Sequence, residues 1–152
     1  MSPTKNHILI GLSSSEKTSF GKQVFACQSD PQKVFSAIWA VESDVNNGGF
    51  REYFLNSPES ASFVVEALER IGAPKTAAIC KRAIDTAFID GLPEAEEAIR
   101  TAATSFPNEV TAALEPLDQE FFSYPHDLTD LLFAFVSRHP EEFGQLPKAD
   151  NA

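Results

Sequence analysis

Thiols are scarce in this 152-residue chain: Cys27 and Cys80 stand 53 positions apart, with no CxxC and no neighbouring histidine. That spacing gives no support for a cysteine metal site or a redox pair and reads as two reduced, buried side chains. Histidine is nearly as rare. His7, His126 and His139 are the three in the chain, there is no GxSxG, and neither cysteine lies in a catalytic context, so a nucleophile has no base and orienting acid to activate it. His126, Asp127, Asp130, His139 and Glu142 are metal-ligand types, but they lack the HExxH spacing and the paired Glu-x-x-His of helical di-metal sites, so no metal is expected. A P-loop signature is missing, and the Asn47-Gly48-Gly49-Phe50 run follows a helical pattern where a phosphate cradle would follow a strand; no cofactor is expected. No apolar run approaches the roughly 20 residues that span a bilayer. The start of the chain has no basic segment leading into a hydrophobic stretch and cleavage site, so a cytoplasmic protein with no membrane partner is the simplest reading. Sustained alternation with β-branched residues is also missing, which argues against strands.

Thirteen phenylalanines and a hydrophobic content of 43% are present, enough for one domain to bury a ring-rich core without disulfides. The pattern predicts an all-α fold: a single compact domain of six or seven helices, several short, over residues 30–145, with an irregular leader at 1–29 and a flexible tail at 146–152. Asp30-Pro31 reads as a cap and first position of a long helix to about Val45, with Val34, Phe35, Ile38, Val41 and Val45 on one face. Trp39 beside that stripe widens the buried face. Ser57-Pro58 opens a helix ending at Gly72, Pro74 opens the next, ending at Gly91, and Leu92-Pro93 opens another, closed by Phe106-Pro107. Asn108 caps a short helix to Glu115, Pro116 interrupts, and Leu117 to Tyr124 forms a separate turn. Asp127 caps the last helix, with Arg138 and His139 in its final turn and Pro140 ending it.

Turn formers and large aromatics meet most closely in Asn46-Asn47-Gly48-Gly49-Phe50-Arg51-Glu52-Tyr53-Phe54-Leu55-Asn56. Asn47 or Gly48 can close the long helix, and Gly49 lets the chain enter a short helix whose face is Phe50, Tyr53 and Phe54. The Asn-Gly-Gly-Phe pattern, with its following aromatics and Asn56, resembles the signature of a bacterial family named after a DNA-mimic protein. Ile71-Gly72-Ala73, Leu117-Asp118-Gln119-Glu120-Phe121, Phe135-Val136 and His139-Pro140-Glu141-Glu142-Phe143 extend the resemblance over roughly residues 31 to 143. It implies a non-enzymatic protein that binds a basic or DNA-binding protein and does not itself bind nucleic acid. Two readings of the hinge stand side by side. Its glycines and asparagines build the turn and satisfy helix ends, or Asn46, Asn47, Asn56, Tyr53 and Arg51 line a pocket for a small ligand or substrate.

Charge supports the interaction reading. Twelve Lys and Arg against 22 Asp and Glu give −10, and the span 91–152 alone holds twelve acids against three bases. Such a field repels nucleic acid and attracts basic proteins. Duplex DNA presents about one negative charge per 1.7 Å of axis, and a helical protein with carboxylates in rows can imitate it. The candidate face comprises Glu94, Glu96, Glu97, Glu109, Glu115, Asp118, Glu120, Asp127, Asp130, Glu141 and Glu142. The ordinary explanations are solubility and, for Glu94, Glu96 and Glu97, a favourable place beside a helix N-terminus. Whether the chain is a monomer or a homodimer is not encoded legibly.

Overall fold

The computed structural model describes residues 4–13 and 24–144. Nine α-helices and two short 3-10 turns make up the regular structure of the described residues, with no strand among them. The all-α reading therefore holds. The tail from 146 and residues 14–23 of the expected leader lie outside the described residues.

The axis of the molecule is α2, Asp30–Gly48. It starts one residue earlier than the sequence pattern suggests at its cap. Ser29 accepts from the Gln32 backbone N–H while the Gln32 side chain accepts from the Ser29 N–H, a reciprocal capping box with Pro31 inside the first turn. Gln32 then donates from Nε2 to the carbonyl of Glu142, 2.9 Å away, tying the start of α2 to the far end of the chain. Val34, Phe35, Ala37, Ile38, Val41 and Val45 are all buried, as their spacing requires.

Around α2 pack α3 (Phe50–Asn56), α4 (Val64–Arg70), α7 (Asn108–Phe122), α8 (Leu128–Ser137) and α9 (Pro140–Phe143). α5 (Pro74–Ala87) bridges α4 and α7, and α6 (Glu96–Thr104) lies on α3. Leu92-Pro93 opens α6 later than expected, leaving Glu94 ahead of the helix. The Ser57-Pro58 start gives only the turn Pro58–Ser60 before α4 begins at Val64. Pro140 does more than end α8: it starts α9, which brings Phe143 back against Phe35 at a ring distance of 5.9 Å.

Three expectations need correction. Residues 5–13 are not irregular; Lys5–Ser13 forms a helix, α1, that buries Ile8, Leu9 and Leu12 against α8. Its apolar face is little more than one turn long, too brief for periodicity to register. Pro116 does not divide its segment. α7 runs unbroken through it, because Pro116 and Ala112, whose carbonyl loses its helical donor, both face solvent, where water can take the donor's place. Cys80 is buried, with its thiol pushed above the ordinary range by desolvation, whereas Cys27 is exposed.

Candidate functional site

The Asn46–Asn56 stretch forms a tight corner between α2 and α3, and its shape follows from one glycine. Gly49 has φ 86 and ψ −176, a conformation reserved almost entirely for glycine. A Cβ on it would also lie 2.5 Å from Asp118 Oδ2. Gly49, rather than Asn47 or Gly48, is thus the residue that closes α2, and its N–H donates to the Val45 carbonyl at 2.8 Å. Asp118 reaches this corner from α7 and accepts the first free N–H of α3, that of Phe50, at 2.9 Å. The carboxylate does the work of a cap that the local sequence, with Gly49 in the cap position, lacks.

The aromatic face of α3 is the fully buried floor of the corner. Phe50 meets Phe121 edge-on at 5.9 Å, and Phe54 meets Phe88 at 5.1 Å and Phe106 at 6.2 Å. The Tyr53 hydroxyl shares a hydrogen bond with Ser60 Oγ at 2.7 Å, completely out of solvent. Arg51 Nε donates to the Ala103 carbonyl in the last turn of α6, and Arg100 Nε donates to the Leu55 carbonyl in the last turn of α3. The two helices exchange guanidinium caps. The Tyr53 hydroxyl and Arg51 Nε, invoked for a ligand pocket, are therefore engaged within the fold. Asn46 donates to the Tyr124 hydroxyl, and Asn56 donates to Glu52 at 3.0 Å and, more loosely, to Asp44 at 3.5 Å. Asn47 and Gly48 are exposed at the tip.

The acidic residues singled out from sequence separate into three sets. Asp118 and Asp127 are caps, the latter accepting from the Asp130 N–H at the start of α8. Glu97, Glu120, Asp130 and Glu141 are paired with Arg100, Arg82, Lys5 and His139 respectively. Glu94, Glu96, Glu109, Glu115 and Glu142 have no ion pair on their carboxylates among the described residues, and all but the partly covered Glu142 are exposed. Exposed pairs contribute little to stability, typically about 0–1 kcal/mol, but those with Arg100, Arg82 and Lys5 each remove an acid from the uncompensated field, whereas His139 offsets Glu141 only when protonated.

Three carboxylates outside the acid-rich span 91–152 gather around the end of α2. Asp44 accepts from Ser57 Oγ at 2.7 Å, Glu42 accepts from the Tyr124 hydroxyl at 3.1 Å, and Glu52 lies over Gly48. Burial pushes the Glu42, Asp44 and Asp118 carboxyls above their ordinary range. Hydrogen bonds from Tyr124, Ser57 and Phe50 oppose that rise, and the neighbouring charges of Asp127, Glu52 and Glu115 respectively add to it. Every charge named in that balance is negative. The C-terminal end of the α2 dipole points at the same corner, with the sign of about half an elementary negative charge. The corner is thus the place where partly desolvated carboxylates repel one another with no ion pair to a cation among the described residues. Their positions were visible in the sequence, but Glu42, Asp44 and Glu52 lie outside the acid-rich span 91–152 that drew attention by its charge.

No group of three or more His, Cys, Asp or Glu among the described residues could hold a metal ion. No described helix is long and apolar enough to cross a membrane. Fold and surface together define a small all-helical protein with a net charge of −10 and an anionic corner built on a glycine turn. Comparison with known proteins makes this specific: the chain belongs to the DMP19-like protein family, whose model matches residues 27–139. This is the DNA-mimic family that the Asn-Gly-Gly-Phe signature resembles. The match runs from the turn before α2 to the residue before α9 and so contains the whole corner and its cap. No curated protein and no solved structure matches the chain.

Proposed function

We propose that this protein is a non-enzymatic DNA mimic of the cytoplasm, which presents carboxylates to a basic DNA-binding protein in competition with DNA. Membership of the DMP19-like family supports the class of partner. The observation that carries the reading is three repelling pairs of carboxylates around the end of α2, Glu42 with Asp127, Asp44 with Glu52 and Asp118 with Glu115, none of them ion-paired among the described residues. In a free protein this arrangement is unfavourable. A surface rich in Lys and Arg relieves the repulsion on docking, as counter-charges do on duplex DNA. The docking face is therefore centred on the corner and continues onto α7 through Glu115.

The experiment is affinity capture from a bacterial lysate at low salt, followed by challenge with duplex DNA. The expected result is release of a basic DNA-binding protein by the duplex and, separately, by rising salt. Capture that neither DNA nor salt disturbs overturns the proposal.

A further inference from the structure

Beside the corner, α1, α2 and α8 border a cleft of about 220 Å³. Its described lining comprises Asn6, Leu9 and Ile10 from α1, Trp39, Glu42, Ser43 and Asn46 from α2, and Thr129 from α8. That is less than the roughly 300–1,000 Å³ of a pocket for a drug-sized ligand and is on the scale of a single long side chain. The lining is amphipathic in a particular way. Leu9, Ile10 and the Trp39 indole supply apolar and aromatic surface, while one carboxylate, two hydroxyls and two amides supply polar groups.

Glu42 is the only charged group in that lining among the described residues. It is half-buried, bonded to the neutral Tyr124 hydroxyl, and feels a second negative charge from Asp127. The lysine nearest in sequence to the cleft, Lys5, is engaged elsewhere: its Nζ is 2.9 Å from Asp130 Oδ1 and lies over the Phe133 ring. Trp39 stacks on Phe35 at a ring distance of 5.6 Å and nearly parallel, so the indole is held in place where it lines the cleft. A carboxylate without a cation, a fixed indole and apolar walls for an alkyl stem are the complement of a guanidinium or ammonium side chain.

We infer that this cleft seats one arginine or lysine side chain of the basic partner, with Glu42 holding the cation, the Trp39 indole beside it, and Leu9 and Ile10 along its stem. The inference rests on the DNA-mimic reading for the identity of the partner and adds to it the anchoring contact. A broad anionic face attracts any basic protein. A cleft that accepts a single cationic side chain fixes the orientation in which the partner docks.

Trp39 is the single tryptophan of the chain and borders both this cleft and the one beside Asp44 and Ser57, so its fluorescence reports on both and the Glu42 variant below assigns the response to this cleft. The test is titration with N-acetyl-arginine amide and N-acetyl-lysine amide, with N-acetyl-glutamine amide as the uncharged control, followed by partner capture with the same variants. Saturable change of Trp39 emission by a cationic amide and not by the control is expected. Glu42→Gln, which keeps an acceptor for Tyr124, weakens that binding about ten- to a hundredfold, the loss of one charge-assisted hydrogen bond. Glu69→Gln, at an exposed position of α4 that belongs neither to the cleft lining nor to the docking face, leaves it unchanged. The absence of a saturable response in the wild type, or an unaltered one in Glu42→Gln, overturns the cleft. If a DNA-competed partner is captured as well by Glu42→Gln as by the wild type, the anchoring role fails while the mimic reading stands. If the cleft binds the arginine amide but no DNA-competed partner is captured, the mimic reading fails and a guanidinium site remains.

Discussion

Gly49 joins two requirements that no other residue type meets together: a backbone with φ near 86 and room for the Asp118 carboxylate where a Cβ would stand. Gly49→Ala is expected to destabilise the protein by about 1–3 kcal/mol from backbone strain alone. Displacement of Asp118 from the Phe50 N–H adds to that loss, and urea unfolding measures the total. The raised carboxyls give a second expectation. Glu42, Asp44 and Asp118 titrate above the ordinary 4.5 and 3.8, so the folded chain takes up these protons before the unfolded chain does. Their contribution to stability is complete below the unfolded values and is lost as pH rises through the folded ones. At Glu42, acidification from neutrality through its raised range therefore stabilises the fold, while it withdraws the charge that would hold a cation. Thermal unfolding of the wild type minus that of Glu42→Gln isolates this group: the difference favours the variant at neutral pH and shrinks on acidification. Individual residues were unequally legible. Asp127 announced its capping role because the helix it caps follows at once, whereas Asp118 acts across 68 positions and carries no local sign of it. The same separation explains why an acidic count placed Asp118 on the surface although its first duty is to hold α3.

Among the elements, α1 was illegible and α2 almost fully legible, and the reason is length. A 19-residue helix repeats its apolar face five times, while the nine residues of α1 show only Ile8, Leu9 and Leu12. Tertiary contact with α8 supplies what local propensity does not, as is usual for helices too short to persist alone in water. Leu9 is 1% exposed, and Leu9→Ala is expected to lower stability by about 2–5 kcal/mol, a loss that an irregular leader would not show in urea denaturation. The corner's aromatic helix was read correctly from the spacing of Phe50, Tyr53 and Phe54, yet nothing in its seven residues points to the arginines exchanged with α6. Those bonds depend on two helices of different sequence lying antiparallel, a relation that periodicity within either helix does not encode. In α7 the error ran the other way: Pro116 is a strong local breaker, and packing of Leu114, Leu117 and Phe121 on the same side of the helix overrode it.

At the scale of the molecule, charge is the property that sequence states most plainly and distributes least clearly. The net −10 was certain, but its uncompensated part depends on which acids find Lys5, Arg82 and Arg100 in three dimensions. Glu115→Lys is expected to weaken partner capture and flatten its salt dependence, with the unfolding midpoint little changed, because Glu115 is exposed and makes no ion pair among the described residues. Asp118→Lys would instead remove the cap of α3, so its loss of capture would not separate binding from folding. The Gln32 bond to the Glu142 carbonyl spans 110 residues, and Phe35 meets Phe143 beside it. The start of α2 is capped locally by Ser29 and Gln32, but its tie to α9 cannot form until the chain has been made through Glu142. The aromatic floor of the corner must wait as well, since Phe50 receives its cap only once α7 is made. Until α7 is made the rings of the corner lack part of their cover, so the corner closes through contacts distant in sequence.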